Sequence, residues 1–385
     1  MNVINNPGRI RLAIFVLYFC MGVCFSSWAS RIPDIKSALN LGDAAWGTIL
    51  LMMPIGQVCG MTLSGFLISR IGSKRIFPVS LVGYVITLLA IGISATEYAL
   101  IISLIIFGFF GNFCNISINT QAVTLESAYS KPIMASFHGG WSLAGLIGAA
   151  IGLLMSSLHF QPIYHFCIIG LLVLIILVTN MKYLQTDLKK KKETDDTVKK
   201  RKNKPETFLY LLGIIAFCGM AAEGAMADWS GLYFVDIVGS PQHLSSLGLS
   251  AYMITMATGR FMIDKATHKW GPLRVVQAGG MLIATGLFLA VAFPHFIVTL
   301  FAFMIIGLGT AGIVPTIYSI AGKKTNISTS IALTIVSSVS FLGFLIGPPI
   351  IGYISSLTNL RYSYALIGLF GICIVLLASR MKILK

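Results

Sequence analysis

Charged side chains are scarce in this chain. Asp, Glu, Lys and Arg make up 11% of its 385 residues, against about 25% in a water-soluble domain. Acids are scarcer still, with 13 Asp and Glu beside 28 Lys and Arg. So little charge excludes a soluble globule of this size. The seven cysteines (Cys20, Cys24, Cys59, Cys114, Cys167, Cys218, Cys373) form no metal-spaced cluster and read as small apolar side chains. No P-loop is present, so ATP drive has no support. A membrane-embedded enzyme would need a His/Asp/Glu cluster at metal or acyl-transfer spacing, and there is none. Neither an enzyme nor a cofactor is expected.

Long apolar runs fill the chain instead. A helix needs about 20 apolar residues to cross the hydrocarbon, where each span must satisfy its own backbone. Twelve such runs are expected. The first half has Leu12–Ser30, Ala44–Ser69, Ile76–Ala95, Ala99–Leu125, Met134–Leu158 and Ile163–Met181. The second half has Phe208–Phe234, Leu244–Ile263, Leu273–Phe293, Phe296–Ala321, Ser328–Ser355 and Tyr362–Ser379. A signal peptide competes for the first run, but its apolar stretch exceeds the 7–15 residues usual for such peptides. The fold class is therefore an all-α membrane protein. Residues 1–181 form one six-helix bundle, 182–206 a basic linker and 207–385 a second six-helix bundle.

Orientation follows the positive-inside rule. With the amino terminus in the cytoplasm, all Lys and Arg except Arg31, Lys36 and Arg361 fall on the inner side, Arg260 being counted among the inner ones. Both termini and the Lys-rich link are then cytoplasmic. The net charge of +15 is explained without any nucleic acid, and the link reads as a solvated segment over anionic lipid.

The two halves repeat. A shift of 199 residues overlays Ile71–Arg75 on Trp270–Arg274, Gly108 on Gly307, and Leu146-Ile147-Gly148 on Leu345-Ile346-Gly347. An even number of spans per half makes the repeats parallel, a transporter architecture with the substrate held near the midplane where the halves meet. Spans three, six, nine and twelve are nearly pure apolar, so every third helix is expected at the periphery.

The link Gly65-Phe66-Leu67-Ile68-Ser69-Arg70-Ile71-Gly72-Ser73-Lys74-Arg75 resembles the signature between helices two and three of the major facilitator superfamily. Ser69 stands where the acidic residue usually sits. A weaker echo runs from Gly259 through Asp264 to Gly271 and Arg274. Gly65, Arg70, Gly72 and Arg75 are carried over as the conformational signature. Trp28–Pro33, Glu126, His138–Ser142 and Glu223–Trp229 are similar to a mostly uncharacterised bacterial branch near the proton-coupled fucose and sugar permeases. The resemblance implies a twelve-helix carrier of the bacterial cytoplasmic membrane, working by alternating access. Its expected partners are a small-molecule substrate, protons and the lipid bilayer, with no nucleic acid, and it is expected to act as a monomer.

Several side chains are candidates for transport. Asn112, Asn115, Asn119 and Glu126 sit at about 0°, −60°, −20° and −40° on a helical projection, one narrow stripe. Amides offer donors and acceptors that suit hydroxyl-rich solutes, or they join helices to one another. Gln121 lies opposite as a packing contact. Glu223, at mid-span, is the coupling candidate, because a carboxylate at that depth takes a proton readily; the competing reading is a structural carboxylate paired with Arg31 or the Asn stripe. Asp228 falls on another face, unless Gly224 or Gly231 lets the helix break. Arg31 either pairs with Asp34 at i+3 or forms an outer gate with Asp228. His138 either relays protons with Glu126 or caps a helix end. Trp141 and Trp229 either stack on a sugar ring or anchor at the interface.

Proton-driven uptake of a small polar solute such as a sugar is the expected function. Proton-driven efflux of amphipathic compounds and a non-transporting membrane sensor are the alternatives. The topology has a direct test: single cysteines placed in Lys189–Lys202 react with membrane-impermeant maleimide only after cells are opened, and labelling of intact cells would reverse the orientation.

Overall fold

The computed structural model describes residues 6–126, 133–186, 207–323 and 329–381. It is helical throughout these residues and divides into two compact units. The Lys-rich link, most of which separates them in sequence, lies largely outside the described residues, as do Lys131 and the side chains of Ser69, His138 and Asp264.

The first unit holds α1 (Pro7–Ser30), α2 (Ile32–Ala38), most of the broken second span, α5 (Ser73–Gly92), α6 (Glu97–Glu126), α7 (Met134–Ser157) and α8 (Pro162–Asn180). The second span is two helices, α3 (Asp43–Leu50) and α4 (Met52–Ile71), rather than the single one expected. Pro7 and Pro162 stand in the first turns of α1 and α8, where the missing N–H costs nothing. The short segment Pro241–Ser246, with a 3₁₀ turn at Gln242–Leu244, packs in this unit against α7. Reciprocally, Gly42–Gly47 belongs to the second unit.

The second unit holds α9 (Thr207–Asp236), α10 (Ser246–Trp270, from Leu247 on), α11 (Pro272–Ala292), α12 (Phe296–Thr310), α13 (Ile313–Lys323), α14 (Thr329–Leu357) and α15 (Leu360–Arg380). The tenth expected span is thus broken into α12 and α13. By length and composition, 11 of the described segments suit a membrane crossing. The exception among the twelve expected is α10, which carries Arg260, Asp264, Lys265 and Lys269. Helix α14 remains helical through Pro348-Pro349.

Both units are assembled by the same helix pairings. In the first, α1 packs on α7 and α8, and α5 packs on α6 and α8. The counterparts recur in the second, where α9 packs on α14 and α15, and α11 on α12 and α15. The sequence shift reaches individual atoms. Gly72 and Gly271 both take positive φ, 93° and 81°, in the turns that end α4 and α10. Each glycine N–H donates to the carbonyl four residues back, Ile68 at 2.9 Å and Thr267 at 3.0 Å. Only glycine adopts that backbone without strain.

Gly108 and Gly307 do one job twice. A Cβ on Gly108 would collide with the Met53 carbonyl and crowd the Gln57 amide of α4. On Gly307 it would collide with the Tyr252 carbonyl and crowd the Met256 amide of α10. Tyr252 and Met256 are the residues that the same shift overlays on Met53 and Gln57. Without a hydrophobic drive between helices in lipid, such backbone-to-backbone approach is a main source of packing energy. Many large apolar side chains are exposed on the helices. On α8, Tyr164, Ile168, Leu171, Leu172, Ile175 and Val178 form an exposed row at helical spacing, as expected of a peripheral helix.

Gly108→Val and Gly307→Val should each destabilise detergent-solubilised protein by about 1–3 kcal/mol through overpacking. Gly65→Ala, where a Cβ meets nothing within 4 Å, should leave the thermal midpoint unchanged or raised. Equal midpoints for all three would show that close approach at Gly108 and Gly307 is not limiting.

Candidate functional site

In the first unit the amide stripe on α6 is tied to α1. Asn119 Nδ2 donates to the Asn115 carbonyl and to Asn115 Oδ1, both at 2.7 Å. Asn119 Oδ1 accepts from the Tyr18 hydroxyl at 2.5 Å. Tyr18 is held in place by stacking on Phe137, with centroids 5.6 Å apart. Asn115 is exposed and Asn119 half-buried, so this part of the stripe faces outward from the packing. Asn112 differs, because its Oδ1 takes a long 3.4 Å bond from Ser64 of α4. Trp141 is half-buried and tilts against Phe25 at 5.8 Å. Glu126 reaches across the link to accept from the Ile133 N–H at 2.7 Å, just before α7 begins. A relay from Glu126 to His138 involves a side chain outside those described.

Gln121, on the other side of α6, is fully buried and joins three segments. Its Nε2 donates to Ser73 Oγ at 2.6 Å and to the Gln185 carbonyl at 2.7 Å, while its Oε1 accepts from the Gln185 N–H at 2.6 Å. The start of α5, the last turns of α6 and the chain beyond α8 are clasped by one amide. In the signature loop, Arg70 is exposed with its guanidinium 4.3 Å from the Phe66 ring, and Arg75 is exposed.

Arg31 follows the last residue of α1 and is only 2% exposed. Its Nε lies 2.9 Å from Asp34 Oδ2, and its Nη2 donates to the Phe160 carbonyl. Asp34 Oδ1 also accepts from Gln242 Nε2 at 3.3 Å. Burial pushes the Asp34 carboxyl above the ordinary carboxylate range, with Arg31 and Gln242 opposing that rise. Burial likewise lowers Arg31, and Asp34 opposes it. Desolvation outweighs the attraction for each member. The local i+3 pair is therefore the arrangement seen for Arg31.

In the second unit, α9 runs unbroken through Gly224 and Gly231, so of the two possibilities the continuous helix is the one seen. Asp228 is buried, and none of the described residues hydrogen-bonds to it. Trp229 is fully buried as well, so in this structure its ring is core and offers no face to a solute. Glu223 points elsewhere. Its Oε1 accepts from Arg260 Nη2 at 3.0 Å, in a salt bridge whose side chains are 17% and 26% exposed. Tyr252, hydrogen-bonded to Thr310 at 3.0 Å, and Tyr318, bonded to Ser340 at 2.9 Å, lie within electrostatic reach of Glu223. Glu223, Arg260, Tyr252, Thr310, Tyr318 and Ser340 come from five helices.

The sequence reading counted Arg260 among the inner basic residues and did not foresee its pairing with Glu223. Arg260 lies well inside α10 and pairs with the very carboxylate proposed for coupling. The signal was present, because a basic residue inside an apolar span demands a partner. Among the described residues, no three His, Cys, Asp or Glu side chains gather as a metal site. Gln121→Leu should cost about 1–3 kcal/mol by leaving buried partners unsatisfied, read as a lower thermal midpoint; an unchanged midpoint would deny the clasp a structural role.

Comparison with known proteins places this architecture. An uncharacterized MFS-type transporter of Yersinia pestis is 26% identical over 366 residues, covering 95% of this chain and 93% of that protein. The crystal structure of a mutant of the nucleoside transporter NupG superposes with a TM-score of 0.78 at 16% identity, covering 97% of this chain and 100% of that one. A D-xylose-proton symporter structure gives 0.78 at 14% identity, covering 98% of each chain. At such identities the two structures share the fold alone. The sequence profile of the Major Facilitator Superfamily matches residues 14–330 and 230–382, so this chain belongs to that superfamily and is a multi-pass membrane transporter rather than an enzyme.

Proposed function

We propose that the protein takes up a small, hydroxyl-rich solute such as a sugar, driven by protons moving down their gradient. The observation that carries this reading is the Glu223–Arg260 pair, partly exposed at mid-length of α9 and α10. Ionised groups at that depth face water or each other, never lipid. In this reading Glu223 pairs with Arg260 in one state and exchanges that partner for the coupling proton in another. That alternation ties proton binding to a change of conformation, which alternating access requires.

The Tyr18–Asn119–Asn115 chain supports solute binding in the first unit. Buried Tyr18 holds Asn119, and the half-buried Asn119 and exposed Asn115 carry amide donors and acceptors, which a polyol or sugar can match. A fold shared with a D-xylose-proton symporter is consistent with this reading. The signature-loop residues Gly65, Arg70, Gly72 and Arg75 are taken to govern the conformational step. The excess of Lys and Arg on one side supports a bacterial inner-membrane location with both termini cytoplasmic.

Reconstitution in liposomes tests the proposal. An inward proton gradient should accumulate solute inside right-side-out vesicles. Glu223→Gln should abolish accumulation while sparing downhill exchange, and Tyr18→Phe should weaken solute affinity about tenfold, roughly the worth of one buried hydrogen bond. Solute expelled by the gradient would establish efflux. Binding without flux would establish a sensor, and gradient-driven uptake by Glu223→Gln would remove the coupling role.

A further inference from the structure

Helix α15 carries a groove that the transport reading does not use. Leu369, Ile372, Cys373, Leu376, Leu377 and Arg380 line a surface depression of about 350 Å³. These positions recur at three- and four-residue intervals, so they form one stripe along the helix. Leu369, Ile372 and Leu376 are 51%, 40% and 60% exposed. Leu369 stands near mid-length of α15 and Arg380 is its last residue. Between them the stripe rises roughly 16 Å at 1.5 Å per residue, close to the depth of one leaflet in a hydrocarbon core of ~30 Å. An acyl chain laid in the groove from the midplane therefore ends level with a guanidinium.

We propose that this groove holds one anionic phospholipid, with an acyl chain along α15 and the phosphate on Arg380. The charged end suits an anion. Arg380 is exposed, and among the described residues it forms no ion pair. Helix α9 lies alongside and runs antiparallel. Its Phe217 meets Phe370 with ring centroids 6.0 Å apart, and its Ala225 carbonyl accepts from the Tyr364 hydroxyl at 3.4 Å. Counting back from Phe217 and onward from Phe370 brings Tyr210 within one helical turn of the height of Arg380. Tyr210 is 47% exposed, and tyrosine suits the level where hydrocarbon gives way to headgroup. The first turn of α9 carries no acid, and the sequence continues past Arg380 with Lys382 and Lys385. Guanidinium and phosphate match as two-point partners. A zwitterionic headgroup brings its own cation and gains less at such an end than one of net negative charge. A second copy set side by side in the same membrane would bring Arg380 against Arg380 across the axis, like charge on like.

Native mass spectrometry of the full-length protein in detergent tests this, with phosphatidylglycerol and phosphatidylcholine of identical acyl chains as probes. One phosphatidylglycerol should be retained per protein in preference to phosphatidylcholine, and it should raise the thermal midpoint by mass action. Arg380→Gln should weaken retention about fivefold, the worth of one basic residue near an anionic surface. Leu376→Trp fills the groove and leaves every charge in place, and it should weaken retention as well. Arg274→Gln removes an exposed guanidinium from the first turn of α11. It should leave retention unchanged, which separates a built site from diffuse attraction. Equal retention of the two lipids overturns the proposal. So does a loss in Arg274→Gln as large as in Arg380→Gln, or retention indifferent to Leu376→Trp. Inorganic phosphate that stabilises as well as the lipid would remove the groove from the site. A dimer that withstands added lipid and dissociates in Leu376→Trp would give the groove to a second copy.

Discussion

The absence of water in the hydrocarbon governs everything in this molecule. A backbone amide or an ionised side chain at that depth has only other protein groups to turn to. Helices answer the first demand within each span. The second demand is answered by pairing inside one unit. Arg31 meets Asp34 and the Phe160 carbonyl in the first unit, and Arg260 meets Glu223 in the second. The two pairs differ in a way that bears on function. Arg31 is 2% exposed and belongs to the packing at the end of α1. The Glu223–Arg260 pair is partly exposed.

Packing without a hydrophobic drive asks for small residues where helices touch. The chain supplies them in duplicate. Gly108 and Gly307 bring α6 and α12 onto the backbones of α4 and α10, with contact residues related by one constant shift. Gly72 and Gly271 close the same turn with the same hydrogen bond. These correspondences were maintained over two stretches of otherwise different sequence because steric exclusion is unforgiving. Substituting a side chain on a helix face changes one contact, whereas adding a Cβ at Gly108 pushes two helices apart.

Much of this was legible from residue order. Apolar length alone marked the spans, and the shift of 199 anticipated Gly108 and Gly307 before any contact was known. Periodicity placed Asn115 and Asn119 together on α6, and the structure joins them by hydrogen bonds. What escaped was the identity of partners across helices. Arg260 was counted in the inner basic set, and nothing in that count pointed to Glu223 as its partner. Tyr18, on α1, carried no sign of its bond to Asn119. Gln121 was recognised as a packing residue, but its clasp on Ser73 and Gln185 depends on chain segments 48 and 64 residues away. Local pattern says which face of a helix is polar; it does not say what that face meets.

The sequence by itself determined the class: a chain with so few charges and so many apolar runs has no stable form outside a bilayer, and its even, repeated halves follow from spacing. It also matched Gly72 with Gly271 and Gly108 with Gly307 by a constant shift, while the positive φ and the backbone contacts that require glycine there came from the structure. Only the tertiary structure decided that Glu223 belongs with Arg260, that Trp229 is core, and that α9 passes Gly224 without breaking. Those outcomes depend on the angle and register at which helices pack. They are sums of many small contacts over distant residues, and one-dimensional order does not contain them in readable form.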